Sequence, residues 1–166
     1  MRTEAGSIEP PLQGPGVPFP PPFIYVAAFL AGLALERWVW RIRLGGGELR
    51  TLLVVTGWAC VVGGLTFAAW GLVTFFRART AVVPNRPASR LVTSGPYRFS
   101  RNPMYSGLGV LYLGLALVFD VGWPVVLFPS AAAALYFLVV RREERYLAHA
   151  FGEDYGAYTR SVRRWL

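Results

Sequence analysis

The chain alternates between long apolar runs and segments rich in arginine. Residues 51–76 form a run of 26 residues without a charged side chain, and residues 23–40 form a weaker run that Glu36 and Arg37 interrupt near its end. About 20 apolar residues in a helix are enough to cross the ~30 Å hydrocarbon layer of a bilayer. Both runs therefore predict transmembrane helices.

A third apolar region, residues 104–140, is too long for a single crossing. Its 37 residues contain one charge, Asp120, and a continuous helix of that length would extend for about 55 Å. Asp120, Gly122 and Pro124 cluster near the middle, where a turn is expected. The region therefore predicts a tight hairpin of two spans, residues 104–119 and 121–140.

Polar segments flank these runs and complete the predicted architecture. Residues 1–22 hold seven of the 13 prolines, which is typical of a flexible tail. Residues 77–103 form the longest polar loop, and residues 141–166 show an amphipathic helical pattern that Gly152 interrupts. We therefore expect an all-α fold: an integral membrane bundle of about four transmembrane helices, the last two a tight hairpin, plus a carboxyl-terminal amphipathic helical segment. Residues 23–166 would form one domain.

Composition and charge agree with a membrane protein. Hydrophobic residues make up 54% of the chain and charged residues 16%, and the mean hydropathy is +0.41, whereas soluble domains carry about 25% charged residues. All 17 basic residues are arginines, and they crowd the ends of the apolar runs, where lipid headgroups lie. Together with the lack of a nucleic-acid-binding motif, this placement predicts membrane lipids rather than nucleic acid as partners.

The distribution of arginine also predicts the orientation of the chain. Residues 77–103 and 141–166 lie an even number of spans apart, so they share a face, and their arginines predict that this face is cytoplasmic. The loop at residues 41–50, with three arginines and one acid, would then lie outside, which conflicts with the same rule. A multi-pass protein with its polar site on the cytoplasmic face is the resulting expectation.

The densest set of polar side chains lies in TSGPYRFSRNPMYSG, residues 93–107. Pro96 and Pro103 restrict its backbone and favour a defined shape. Because the stretch runs directly into a span, some of its polar groups should face the bundle interior, where ionisable groups are usually functional. The alternative is a cuff of arginines that faces lipid headgroups. Cys60 and His149 are the single cysteine and histidine, so neither a disulfide nor a metal site is expected.

Two stretches carry a recognisable pattern: LVTSGPYRFSRNPMYSG before the hairpin and EERYLAHAFGEDYGAYTRSVRRW after it. They resemble the two signatures of the isoprenylcysteine carboxyl methyltransferase and phospholipid methyltransferase superfamily. In the second signature a Glu pair and a leucine precede FGxxYxxYxxxVxR. The resemblance covers roughly residues 76–165.

The resemblance implies S-adenosylmethionine-dependent methyl transfer to a lipophilic substrate that enters from the bilayer, such as an isoprenylcysteine-like carboxylate, a thiol or a lipid amine. The cofactor would be bound by the loop at residues 77–103 and covered by residues 141–166. Helical spacing gives Glu143 a small preference over Glu144, because Glu143 shares the apolar stripe of Leu147. The expected cofactor-binding residues are Ser89, Arg90, Leu91, Val92, Tyr97, Arg101, Asn102, Pro103, Met104, Tyr105, Glu143 and Glu144.

Two positions depart from the family pattern. Asn102 stands where a histidine is usual, and its amide can form hydrogen bonds but cannot act as a base. Val139 stands about where carboxyl methyltransferases use an arginine for the substrate carboxylate, and the nearest replacements are Arg141 and Arg142. With no evident base, we expect a nucleophile that is already reactive near neutral pH. The candidate catalytic residues are Arg141, Arg142 and Arg163.

Two alternative functions remain open at this level. Membrane sterol and steroid reductases resemble the same two signatures in their carboxyl-terminal part and bind NADPH, but they carry more spans than this chain offers. The other alternative is a lipid-binding or assembly protein that kept the scaffold and lost activity. Asn102 is the best support for that alternative.

Overall fold

The computed structural model describes residues 16–17, 19–78 and 90–166, so Ser89 and the rest of residues 79–89 lie outside this part of the chain. The described residues form helices and no β-strand, as the predicted all-α fold requires. The helices are Pro22–Trp38 (α1), Gly47–Ala78 (α2), Pro103–Phe119 (α3), Gly122–Leu135 (α4) and Arg141–Ser161 (α5). A 3-10 turn spans Gly95–Arg98, and a π turn at Tyr136–Val140 joins α4 to α5.

Within the described residues, two helices are long and apolar enough to cross a membrane. They are Gly47–Ala78 and the continuous helical stretch Gly122–Ser161, whereas Pro103–Phe119 is apolar but shorter. In an apolar stretch of 18 residues in each of these two helices, 11% and 28% of the residues are buried, respectively. Most of this apolar surface therefore faces outward, which is the arrangement expected of helices in lipid. The count of four spans and the membrane hairpin stay predictions.

Helices α2 and α3 form a close antiparallel pair in which glycines meet. Gly57, Gly64 and Gly71 are buried, and their spacing of seven residues places them on one face of α2. An added Cβ at Gly64 would lie 2.5 Å from the carbonyl oxygen of Gly107, and one at Gly114 would lie 2.7 Å from that of Gly57. Small residues allow helix backbones in a membrane to approach this closely. The contact holds the start of α3 beside the last turns of α2.

Helix α1 packs against α4 and completes the bundle. The backbone of Gly32 lies against Pro124, where an added Cβ would lie 2.7 Å from the proline. Further along, the Tyr25 ring stacks on Phe128 with 6.2 Å between centroids, and Tyr112 of α3 lies 5.8 Å from Tyr25. The Tyr112 hydroxyl donates a hydrogen bond to the Pro124 carbonyl at 2.8 Å. This aromatic cluster connects α1, α3 and α4.

Charged side chains bind backbone groups at the end of the bundle where α1 and α3 end and α4 begins. Glu36 accepts a hydrogen bond from the N–H of Trp123, at the start of α4, at 2.9 Å. Arg50 donates to the carbonyls of Leu117 and Val118, at the end of α3, at 2.7 and 2.6 Å. Helix ends leave such backbone groups without intrahelical partners. The charge that interrupts the first apolar run therefore ties the end of α1 to the start of α4.

The glycine contact yields a matched pair of substitutions. Gly64→Ala should destabilise the protein by about 1–3 kcal/mol, because the added methyl group meets the backbone of α3. Gly63 has no atom within 4 Å of its added Cβ, so Gly63→Ala should be neutral or stabilising by up to ~1 kcal/mol through helix propensity. Thermal unfolding in detergent compares the two variants. Equal melting temperatures would contradict the close packing of α2 and α3.

Candidate active site

The loop before α3 is fastened to the end of α2. Gly95 has a φ of 61°, a conformation that glycine adopts at little cost, and an added Cβ there would lie 2.7 Å from Thr74 Oγ1. Two residues later, Tyr97 is buried, and its ring meets Phe75 edge-on at 5.1 Å. Pro103 then starts α3, where its missing N–H leaves no helical hydrogen bond unmade. The loop thus has a defined shape, as its prolines predicted.

A buried carboxyl group faces the start of α3. Glu143 lies in the first turn of α5, just beyond the apolar part of its helix, and its Oε1 accepts a hydrogen bond from the Tyr105 hydroxyl at 2.8 Å. Burial raises the pKa of the Glu143 carboxyl to about 7, the Tyr105 hydrogen bond opposes this rise, and the neighbouring charge of Glu144 adds to it. Among the described residues Glu143 has no ion-pair partner. Its charge can therefore change near neutral pH.

Three buried polar atoms of the same region have no hydrogen-bond partner among the described residues. They are the Tyr97 hydroxyl, Arg101 Nε and Ser106 Oγ. Burial raises the pKa of Tyr97, and the charge of the nearby Glu143 adds to this effect. Buried polar groups without partners are unfavourable and uncommon. Such a cluster beside a carboxyl group is typical of a site that binds a polar ligand.

The neighbouring Glu144 has the opposite environment. Its Oε1 lies 3.1 Å from Arg101 Nη1, and its two oxygens accept hydrogen bonds from Arg164 Nε and Nη2 at 2.8 and 2.9 Å. The hydrogen bond to Glu144 raises the pKa of Arg164. Glu144 is therefore an ion-pair centre that connects α5, the loop before α3 and the carboxyl-terminal tail.

The tail after α5 folds back onto the loop before α3. The N–H of Arg101 donates to the Arg163 carbonyl at 2.9 Å. The Ser100 hydroxyl and the side-chain amide of Asn102 both donate to the Arg164 carbonyl, each at 3.1 Å. The amide nitrogen of Asn102 thus binds the tail backbone, so this side chain helps to close the site.

Two tyrosines of α5 add a second connection to the same loop. The Tyr158 hydroxyl donates to the Tyr97 carbonyl at 2.7 Å. The ring of Tyr155 lies 6.2 Å from that of Tyr158. Because the two tyrosines are three residues apart on a helix, they share the face that covers the loop.

A π turn lies shortly before the two carboxylates. Tyr136–Val140 forms this turn directly before α5. A π turn contains an additional residue per turn, so it rotates the following helix about its axis, and such turns are frequent at functional sites. Beyond this turn, Glu143 meets α3 and Glu144 meets the tail.

The structure brings half of the predicted cofactor-binding residues together. Two of them are Glu143, with its buried carboxyl group, and Glu144, the ion-pair centre. Around these two glutamates lie Tyr97, Arg101, Asn102 and Tyr105. Of the other predicted residues, Val92 and Pro103 are buried, Met104 contacts Gly71, Leu91 is half-buried, Arg90 is exposed and Ser89 lies outside the described residues.

The three arginines predicted to be catalytic have exposed side chains. Arg141 and Arg142 begin α5, and Arg142 Nη1 donates to the Gly16 carbonyl at 3.2 Å. Arg163 contributes its backbone carbonyl to the tail contact. In the described part of the chain, none of these three side chains forms an ion pair with Glu143.

Arg164, Tyr158 and Ser100 were missed as site residues in the sequence analysis. Arg164 is the final arginine of the FGxxYxxYxxxVxR pattern and Tyr158 is its second tyrosine, so the pattern itself carried the signal. Ser100 carried no comparable signal, because a hydroxyl that bonds a backbone carbonyl needs no particular sequence context.

Apolar helices with outward-facing surfaces and a buried polar site at one end define a helical membrane protein with a candidate active site. The sequence profile of the phospholipid methyltransferase family matches residues 52–154. Since this match covers more than half of the chain, the protein belongs to that family. The family recognised from the sequence is thereby confirmed.

A similar region occurs in the cobalt-zinc-cadmium resistance protein CzcN of Cupriavidus metallidurans. The two sequences are 42% identical over 73 residues, which cover 43% of this chain and 33% of CzcN. The similarity thus spans about a third of the length of that relative. No solved structure matches this chain.

The ion-pair centre can be tested with neighbouring arginines. Arg164→Gln should destabilise the protein by about 1–3 kcal/mol, less than the 3–5 kcal/mol of a fully buried pair, because the Arg164 side chain is 35% exposed. Arg163→Gln should have little effect, since the contact of Arg163 is made by its backbone. Thermal unfolding and protease trimming of the tail measure the difference. A tail that is equally resistant in both variants would contradict the role of Arg164.

Proposed function

We propose that this protein transfers a methyl group from S-adenosylmethionine to a lipophilic substrate at the cytoplasmic face of a membrane. The observation that carries the proposal is the buried Glu143 carboxyl group, which is hydrogen-bonded by Tyr105 and has no ion-pair partner among the described residues. A buried carboxylate in this situation is suited to bind a cation from a ligand. Membership of the phospholipid methyltransferase family supports the reaction class.

The amino-acid end of the cofactor fits the groups that the site presents. Its ammonium group needs a carboxylate, which Glu143 supplies while Tyr105 orients it. Its carboxylate needs hydrogen-bond donors, and Arg101 Nε and the Tyr97 hydroxyl are both buried without partners in the described part of the chain. Asn102 is a weaker candidate for this contact, because its amide nitrogen already bonds to the tail.

The remaining task of the protein is positioning. The bound cofactor supplies an activated methyl group on a sulfonium centre with its own leaving group, so transfer depends chiefly on in-line placement of the nucleophile. The ion pairs of Glu144 hold the tail to the loop, and the hydrogen bond of Tyr158 holds α5 to the same loop. We propose a carboxylate, a thiolate or a lipid amine as nucleophile, because each can react near neutral pH without a strong base.

The proposal includes a single domain, residues 23–166, with four membrane crossings. The exposed apolar side chains of α2, among them Trp58 and Leu65, support contact with lipid along its length. Arginines in residues 77–103 and 141–166 support a cytoplasmic location for the site. The substrate would enter laterally between helices, and Arg141, Arg142 and Arg163 would meet its polar end or neighbouring headgroups.

S-adenosylhomocysteine, the demethylated form of the cofactor, tests this function directly. It should raise the melting temperature of the detergent-solubilised protein, since a ligand at 100 times its Kd stabilises the folded state by about 2.7 kcal/mol. NADPH should leave the melting temperature unchanged. A shift with NADPH alone would favour the reductase alternative, and no shift with either compound would favour the inactive lipid-binding protein.

The pKa of Glu143 yields a pH dependence of cofactor binding. With a pKa of about 7 the free carboxyl group is neutral at lower pH, and an ammonium group binds its charged form. The affinity for S-adenosylhomocysteine should therefore fall by up to about tenfold per pH unit below pH 7 and level off above it. Calorimetry from pH 5.5 to 8.5 (a range of about 1.5 pH units on either side of that pKa) measures this profile.

Glu143→Gln is the control for that profile. Glutamine cannot ionise, so this variant should bind S-adenosylhomocysteine weakly and without the change near pH 7. Burial raises the pKa of Tyr97, which keeps its hydroxyl neutral over this range. The same pH profile in the variant and the native protein would exclude Glu143 as the ammonium-binding group.

A further inference from the structure

The segment before α1 contributes to the hydrophobic core next to the candidate site. Val17 is 2% exposed and belongs to a buried cluster that includes Tyr105 and Val140. Phe19 packs against the same cluster. Although the composition of residues 1–22 is typical of an extended tail, this part of the chain inserts a side chain into the bundle.

The same segment is also anchored at a polar point. Gly16 has a φ of 66°, which favours glycine. Its carbonyl accepts a hydrogen bond from Arg142 Nη1 at 3.2 Å. The segment therefore presents an oxygen acceptor to an arginine and, next to it, apolar side chains to a buried cluster. An amphiphile with an anionic headgroup presents the same two features.

Val17 shares its buried cluster with a residue of the proposed reaction centre. Tyr105 belongs to the cluster that contains Val17, and its hydroxyl binds Glu143, the proposed site of the cofactor ammonium group. A lipophilic substrate has to bring its reactive end to this region while its hydrocarbon chain lies against apolar side chains. The space that Val17 fills is lined by apolar side chains of this cluster, so it could hold the hydrocarbon chain of such a substrate.

We propose that Gly16, Val17 and Phe19 form an N-terminal plug that occupies the groove for the hydrocarbon chain of the substrate and is displaced by an anionic amphiphile. The inference rests on the proposed function. The plug precedes the first residue of α1, so it can leave without unfolding a helix. Because the amphiphile binds the unplugged fraction, the plug lowers its apparent affinity.

Thiol labelling of the full chain tests the displacement. In a Cys60→Ala background, Val17→Cys reports on the plug, and Val39→Cys, at a valine that is 50% exposed, is the matched control. In dodecyl maltoside micelles a maleimide should label position 17 at least about tenfold more slowly than position 39, because it reacts in the open fraction. Palmitate, an anionic amphiphile, should accelerate labelling at position 17 several-fold and leave position 39 unchanged.

Either of two results would overturn the plug. The first is equal labelling rates at the two positions without palmitate, and the second is protection at position 17 that palmitate does not change. A second pair of full-chain variants covers the case in which cysteine disturbs the core. Val17→Asp should expel the plug and increase cross-linking of a photoactivatable palmitate several-fold over Val39→Asp, and an unchanged or lower yield would refute the proposal.

S-adenosylhomocysteine separates this inference from the proposed function. Its effect on the melting temperature of the same variants reports cofactor binding and does not require palmitate. Palmitate-dependent opening without cofactor binding would support the plug and reject the methyltransferase. Cofactor binding with no effect of palmitate on position 17 would retain the methyltransferase and reject the plug.

Discussion

The different environments of two adjacent carboxylates organise the functional end of this molecule. Glu144 is paired with Arg101 and Arg164, which join the loop before α3 to the tail. Glu143, one residue earlier, has a tyrosine hydroxyl as its partner and a pKa of about 7. The ion pairs of Glu144 hold the tail against the loop, and burial raises the pKa of the Glu143 carboxyl group beside them. Since Glu144 binds both arginines, Glu143 keeps its capacity to bind a cation from outside the chain.

This arrangement depends on the packing of the helices below it. The glycine contact between α2 and α3 brings Tyr105 and the preceding loop to one end of the bundle, and the edge-on contact of Tyr97 with Phe75 fastens that loop to α2. Because adjacent residues of a helix point about 100° apart, the two carboxylates at the start of α5 meet different partners. Contacts made by Glu36 and Arg50 at the opposite end hold the same helices together. Contacts at both ends of the bundle therefore fix how the helices that carry the site are placed.

Much of the fold could be predicted from the sequence, because an apolar helix corresponds to a continuous run of apolar residues between polar segments. The first predicted run, residues 23–40, corresponds to Pro22–Trp38, and the third, residues 104–119, corresponds to Pro103–Phe119. The interruption at Gly152 also appears, with a φ of 47° inside α5. The π turn was not predicted, since the apolar residues 136–140 suit an α-helix equally well and the additional residue of the turn is stabilised by tertiary contacts.

The sequence by itself determined the helices, the polar loop between Pro96 and Pro103 and the Glu pair that belongs to the site, because these features depend on residues close together in the chain. Only the tertiary structure decided which glutamate is paired, and that the amide nitrogen of Asn102 binds a tail residue 62 positions away. It also placed Val17 in the same buried cluster as Tyr105. Helical periodicity identifies a face of one helix but not the group opposite it. Partners far apart in sequence are chosen by packing, and packing determines which charges are neutralised and which remain available.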